Sequence, residues 1–480
     1  MVKPSSPTPP HLQTLKLSYL DQLCYSFYVP LVFYYSANKN RAIPSDDELD
    51  RTSRRLTQSL SQTLTSFYPF AGRSCDFYTV DCNDAGAELS FARVTGLCLD
   101  EAARDPESVE RYLPAGPTDF SGIPSHPVFL ARVTFFPCGG SAVGIRFSHH
   151  VADAASAAAF VAAWAAGGDG CSLDDHFLDF NLSSDFPARE FPPPAAATVT
   201  GSDESFRTAR FAFDEAKLAA LRRVAGGGSA VVLVSAFIWE SFMRANEKDD
   251  EKVFVATHRV DLRSRKKALE KKFGNCFMTS FAYCTAGREF HELVGKLRES
   301  IRKVDEGYIT GSKNDGDVYM GDVRGCMSKL VKGEVEGFLF PSWCGFPFYE
   351  VDFGWGRPVR VCTTPFPAKN GAILMDMNRL EGDDMGKGIE AWVCMTNGDL
   401  EIFEKNFKLL VSGGGATRTQ RGRELSNLIS HKARRRRECP QPRVNELLFQ
   451  RRGGDLEGVG GAATIGEDER GFRGEELEKI

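Results

Sequence analysis

Apolar residues alternate with others at strand spacing over residues 15–35, where Leu, Tyr, Phe and Val dominate and Asp21 stands between Leu20 and Gln22. The period lengthens over 45–67. Leu49, Leu56, Leu60, Leu64 and Phe67 recur near every 3.6 residues, predicting an amphipathic helix that stops at Pro69 and Gly72. Strands are predicted at 89–94, 129–135 and 142–147, the last running into Ser148-His149-His150-Val151-Ala152-Asp153. An alanine-rich helix follows and ends at Gly167-Gly168. The pattern resumes with a strand at 206–213, a helix from Asp214, the start of a buried helix at 231–239 and a strand at 253–262. Phe290, Leu293, Val294, Leu297 and Ile301 mark one side of a helix over 290–305. Strand pairs flank 342–358, and a strand at 388–393 precedes a helix at 397–410. The prediction is two α/β halves, an N-terminal domain 1–184 and a C-terminal domain 206–411. They are joined by a crossover linker at 185–205, which contains the run Pro192-Pro193-Pro194.

Composition narrows the class. The chain has 480 residues, 42% hydrophobic and 26% charged, the balance of a soluble globular protein. A formal net charge of -5 supplies no basic field for nucleic acid or an anionic membrane. The thirteen cysteines are an odd number without C-x-x-C pairs, which points to reduced thiols rather than a disulfide or zinc framework. Residues 1–10 are polar and proline-rich, unlike a secretory signal. The uncharged stretch 22–38 is too short to span a membrane and 154–168 too alanine-rich. The expectation is a cytoplasmic, monomeric protein without membrane or nucleic-acid partners. After residue 411 the chain turns polar and glycine-rich, and 412–480 reads as a disordered or aberrant tail, although Arg434 to Arg437 form a basic patch.

The sharpest chemical feature is His149 with Asp153, four residues apart at a strand-to-helix junction, where α/β architectures meet their ligands. An imidazole with a pKa near 6.5 is largely neutral at cellular pH and suits a general base. Taken alone, an H-x-x-x-D pair more often marks a histidine that caps or fills a junction than a base. None of His126, His176 or His258 sits at metal-ligand spacing, so no metal is expected.

A second string, Asp352-Phe353-Gly354-Trp355-Gly356, follows Ser342-Trp343-Cys344-Gly345-Phe346-Pro347. With residues 17–21 (LSYLD), 68–73 (YPFAGR) and 273–276 (FGNC), these strings resemble the plant BAHD acyl-CoA-dependent acyltransferases. The likeness is greatest to the vinorine synthase-like branch of alcohol acetyltransferases. The resemblance covers residues 11–410 in order. It implies two chloramphenicol-acetyltransferase-like domains with mixed, mostly antiparallel sheets and an interdomain channel. It also implies acyl-CoA, expected to be acetyl-CoA, as donor co-substrate, an alcohol or amine as acceptor, and no tightly bound cofactor.

By the same resemblance, His149 is the base and Asp153 a structural residue that turns away to pair with Arg263. Asp352, Phe353, Gly354, Trp355 and Gly356 form a structural motif, while Trp343, Ser235 and Asn275 lie on the substrate or CoA side. The basic run 263–272 is offered to CoA phosphates or is a solvated face. Three departures from the family matter. Asp261 replaces an Asn two residues before Arg263, and the tail is foreign to the family. Pro341 stands where a threonine is usual, so an oxyanion donor is lost unless Ser342 replaces it. The alternative to an O-acyltransferase acting on a plant secondary metabolite is therefore a catalytically impaired ligand-binding protein on the same scaffold.

Overall fold

The computed structural model describes residues 1–24, 27–37, 45–116, 126–167, 179–190, 205–247, 251–313, 318–366, 368–377, 388–412 and 477–479. Two six-stranded sheets organise it. The first runs in the order Arg360–Cys362, Tyr28–Tyr35, Ser141–Ser148, Phe129–Phe135, Glu88–Val94, Leu477–Lys479. Only the Glu88–Val94/Phe129–Phe135 pair is parallel. The second runs Phe277–Thr285, Val253–Asp261, Val335–Phe340, Gly371–Met377, Gly388–Thr396, Phe206–Asp214, with both neighbours of Val335–Phe340 parallel to it. The sheets are thus mixed and mostly antiparallel.

Local chemistry explains the main helices. Asp46–Ser66 begins at Ser45, whose hydroxyl accepts from the Glu48 N–H, and it buries Leu56, Leu60 and Leu64. The Leu56 carbonyl accepts from the indole of Trp164 in the alanine-rich helix Ala154–Ala166, locking the two helices on the first sheet. On the second sheet, Ala230–Asn246 is buried through most of its length, as its apolar start predicts, and packs with Phe290–Lys303.

Four expectations change. The strand predicted over 15–35 is split by a one-turn helix, Tyr19–Gln22, because the Asp21 carboxylate reaches back to the Ser18 N–H while Ser18 caps the turn. The linker starts later than expected: Phe186 is fully buried, and Asp185 holds Lys272 and Lys313, so 185–190 are docked. Residues 191–204 lie outside the described residues. Of the tail, 413–476 and 480 also lie outside them, but Leu477–Lys479 pairs antiparallel with Glu88–Val94. A strand at a sheet edge needs only backbone groups, which composition does not forbid.

The largest change concerns the halves themselves. After Val335–Phe340 the chain leaves the second sheet, and Phe348, Val351 and Phe353 enter the core of the first. Arg360–Cys362 then adds to the first sheet with Val361 opposite Phe33, before the chain returns at Gly371–Met377. Residues 341–363 therefore cross a boundary that a single cut at 185–205 does not describe.

The Asp352 to Gly356 string makes that crossing turn. One carboxylate oxygen of Asp352 accepts from the N–H groups of Gly354 (2.7 Å), Trp355 (3.0 Å) and Gly356 (2.8 Å). Gly354 takes a φ of 87°, and a Cβ there would meet the Arg55 guanidinium at 3.3 Å. Phe353 is fully buried with its ring 4.9 Å from that of Trp164, and its carbonyl accepts from Arg55. Asp352→Ala strands three N–H groups that water only partly recovers. It is expected to cost about 1–2 kcal/mol of stability, read as a lower urea midpoint. An unchanged midpoint would show that this turn holds without its carboxylate.

Candidate active site

His149 lies immediately beyond the strand Ser141–Ser148, and its N–H donates to the Phe27 carbonyl at 2.9 Å. Its ring stands edge-on to Phe27 (5.1 Å between centroids) and 6.2 Å from Phe277, and the residue stays half-buried. The next histidine takes another direction. His150 is buried against Phe77, and burial pushes its imidazole down to about 4.

Behind His149 stands a buried chain of polar groups from both halves. The imidazole Nδ1 is 3.0 Å from Asn275 Oδ1. Asn275 Nδ2 donates to Asp21 Oδ1 (2.9 Å) and to the His149 carbonyl (2.8 Å), so both amide protons are committed to acceptors. Asp21 also accepts from the Asn275 N–H (2.7 Å), the Ser18 N–H (2.8 Å) and the Ser18 hydroxyl (2.6 Å). Burial raises its carboxyl pKa, and these hydrogen bonds oppose that rise.

The consequence is a fixed tautomer. Turning the amide over would set Oδ1 against a carboxylate oxygen, so Oδ1 faces the imidazole and Nδ1 must carry the proton it receives. Nε2 is left with a free lone pair. Burial, and next the Arg259 guanidinium, hold the imidazole below its usual value near 6.5, which keeps Nε2 unprotonated at neutral pH.

Asp153 faces away from His149. It caps Ala154–Ala166 by accepting from the Ser156 N–H (2.9 Å) and meets Arg263 through two bonds of 2.8 and 3.2 Å. Arg263 spends its remaining donors on the carbonyls of Lys272 (2.9 Å) and Gly274 (3.1 Å), Ser156 Oγ (3.1 Å) and Asp261 Oδ1 (3.1 Å). The Asp at 261 thus accepts from the same arginine. Gly274 is required here: its φ is 116°, and a Cβ would sit 2.9 Å from Leu182. The loop 261–276 of the second half is thereby pinned to the turn 149–156 of the first.

Several expectations are corrected. Asn275 is not on a ligand surface; it is fully buried and its amide atoms are used within the protein. Ser235 is also fully buried, 2.9 Å from Nε2 of His258 behind the second sheet. His258 stacks on Phe340, and burial pushes it down to about 4. The basic run is partly spent: Arg263 is paired as above, Lys272 holds Asp179 and Asp185, and Lys266 lies 3.5 Å from Glu306. Trp343 is half-buried against the first core, its N–H donating to the Leu374 carbonyl at 2.7 Å. The sequence marks Asp21 only as a member of a string and Asn275 only as a ligand-side residue; their pairing spans 254 positions and leaves no local signal. Phe27 and Arg259 were missed altogether.

A family model described as the Transferase family matches residues 1–410. Vinorine synthase of Rauvolfia serpentina is 35% identical over 435 residues, covering 86% of this chain and 96% of that protein. This chain belongs to that family, the plant BAHD acyl-CoA-dependent acyltransferases. Stemmadenine O-acetyltransferase of Catharanthus roseus is 34% identical over 433 residues, 86% of this chain and 96% of that one. The crystal structure of vinorine synthase superposes with a TM-score of 0.71 at 34% identity, covering 84% of this chain and 94% of that one. A coenzyme A complex from F. sporotrichioides, 15% identical with a TM-score of 0.59, shares the fold over 82% of this chain and 97% of its own. As a BAHD protein the chain is an acyltransferase, and its mixed α/β architecture with two open sheets matches the vinorine synthase fold.

Proposed function

We propose that this acyltransferase moves an acetyl group from acetyl-CoA to a hydroxyl of a plant secondary metabolite, with His149 as general base. The observation that carries the reading is the Asn275 bond to Nδ1, which leaves Nε2 as the free acceptor of a proton. Nε2 takes the hydroxyl proton as the oxygen attacks the thioester carbonyl carbon. The tetrahedral adduct then collapses, the C–S bond breaks, and the imidazolium returns its proton to the departing CoA thiolate. No covalent enzyme intermediate is needed when both substrates are held side by side. Acetyl transfer is supported by the activity named for stemmadenine O-acetyltransferase, and a CoA donor by the coenzyme A complex of the structural neighbour.

Pro341 leaves no hydroxyl where the family has one. The Ser342 hydroxyl, which accepts from the Cys344 N–H at 3.4 Å, is the side chain proposed to take that hydroxyl's place as donor to a developing oxyanion. The protein is further proposed to act as a monomer in the cytoplasm; among the described residues no single helix is long and apolar enough to cross a membrane.

The test incubates purified full-length protein with acetyl-CoA and a panel of hydroxylated metabolites, reading free thiol and acetylated product. Release only at the acceptor-free hydrolysis rate would reject catalysis in favour of ligand binding alone. Because the neutral imidazole is the active form and burial lowers its pKa, kcat/KM is expected to fall on the acid side with a midpoint under 6.5 and to rise to a plateau above that midpoint. A midpoint above 6.5 would contradict His149 as the group that titrates.

A further inference from the structure

Arg259 is the exposed member of the strand Val253–Asp261, directly opposite Thr279 on Phe277–Thr285. Its guanidinium donates to the Thr279 hydroxyl and lies 5.1 Å from the centroid of Phe277, the ring that also borders His149. Among the described residues no carboxylate pairs with it. Nearby acids are committed elsewhere: Asp21 to Ser18 and Asn275, Asp153 and Asp261 to Arg263.

Such a charge is misplaced for the reaction unless something neutralises it. An unpaired guanidinium beside the base opposes the imidazolium that must form as the acceptor loses its proton. Thr279 and the face of Phe277 occupy only part of a group with five N–H donors. An anion received on the remaining edge would cancel the penalty and fix one substrate next to the reacting atoms.

Resting on the acyltransferase reading, we propose that Arg259 is a specificity-determining residue that receives a substrate carboxylate. Under acetyl transfer the carboxylate belongs to the acceptor, a hydroxy acid. If the donor is a dicarboxylic acyl-CoA of the malonyl type, it belongs to the acyl group. The same guanidinium serves either source.

Two arms separate these sources, using full-length wild type, Arg259→Gln and Arg259→Lys. Calorimetry compares malonyl-CoA with acetyl-CoA. Thiol release from acetyl-CoA compares kcat/KM for aromatic and alicyclic hydroxy acids with that for their methyl esters. In one arm the wild type should favour the carboxylate about tenfold or more, the scale of one charge-assisted hydrogen bond. Arg259→Gln should bring that ratio within about twofold, and Arg259→Lys should restore part of it. Ratios near one in both arms, or a preference that survives in Arg259→Gln, would overturn the proposal. If neither CoA ester binds the wild type, the acyltransferase reading falls and takes this one with it. Equal binding of both esters with equal turnover of acids and methyl esters removes only the role of Arg259.

Discussion

His149→Ala is expected to lower acceptor-dependent thiol release by about 100- to 10,000-fold, the range a positioned general base contributes. The KM for acetyl-CoA should change little, because the imidazole handles the acceptor's proton rather than the nucleotide. The companion change tests how the base is prepared. Asn275→Leu removes the oxygen that holds the Nδ1 proton, while Asp21 keeps the Ser18 hydroxyl and the two backbone N–H groups. Freed of that partner, the ring populates the tautomer with its proton on Nε2, the form that cannot accept one from the acceptor. The expected result is a loss of at least about tenfold in kcat, as for other bases whose tautomer is unset. Full activity in Asn275→Leu would show that the imidazole orients itself. Full activity in His149→Ala would remove it from the chemistry.

Arg263→Ala is expected to produce the largest loss of stability, about 3–5 kcal/mol, because it leaves the Asp153 carboxylate buried without its cation. The carbonyls of Lys272 and Gly274 lose a donor at the same time. Arg263→Lys should recover only part of this, since an ammonium cannot form both bonds to Asp153 while reaching those carbonyls. Urea unfolding monitored by tryptophan fluorescence gives the comparison. An alanine variant as stable as wild type would mean that the loop 261–276 is held by its other contacts. Activity should fall along with stability, because the same loop carries Asn275.

Much of this was legible because it is local. The helix Asp46–Ser66, the strands around His149 and the buried helix Ala230–Asn246 are each written in a periodic run, and each lies close to its predicted place. Asp153 and Arg263, joined in expectation by motif resemblance, lie 2.8 Å apart. What could not be read depends on contacts between distant segments. Asp21 looks like one acidic residue in an apolar run, and only the arrival of Asn275 turns it into the anchor of an imidazole. Ser235 was misjudged because an apolar helix segment does not declare which side meets a ligand and which side meets His258. The strand Leu477–Lys479 gave no signal, since an edge can be extended by a sequence with little apolar content.

The excursion of 341–363 into the first sheet constrains how relatives can be recombined. A hybrid spliced at the proline-rich junction would pair one parent's Tyr28–Tyr35 with the other's Arg360–Cys362, and one parent's Trp164 with the other's Phe353. Mismatched side chains would meet inside a core rather than at a surface. Donor and acceptor preferences should therefore be exchanged between family members as a discontinuous block, with 341–363 travelling alongside the amino-terminal portion.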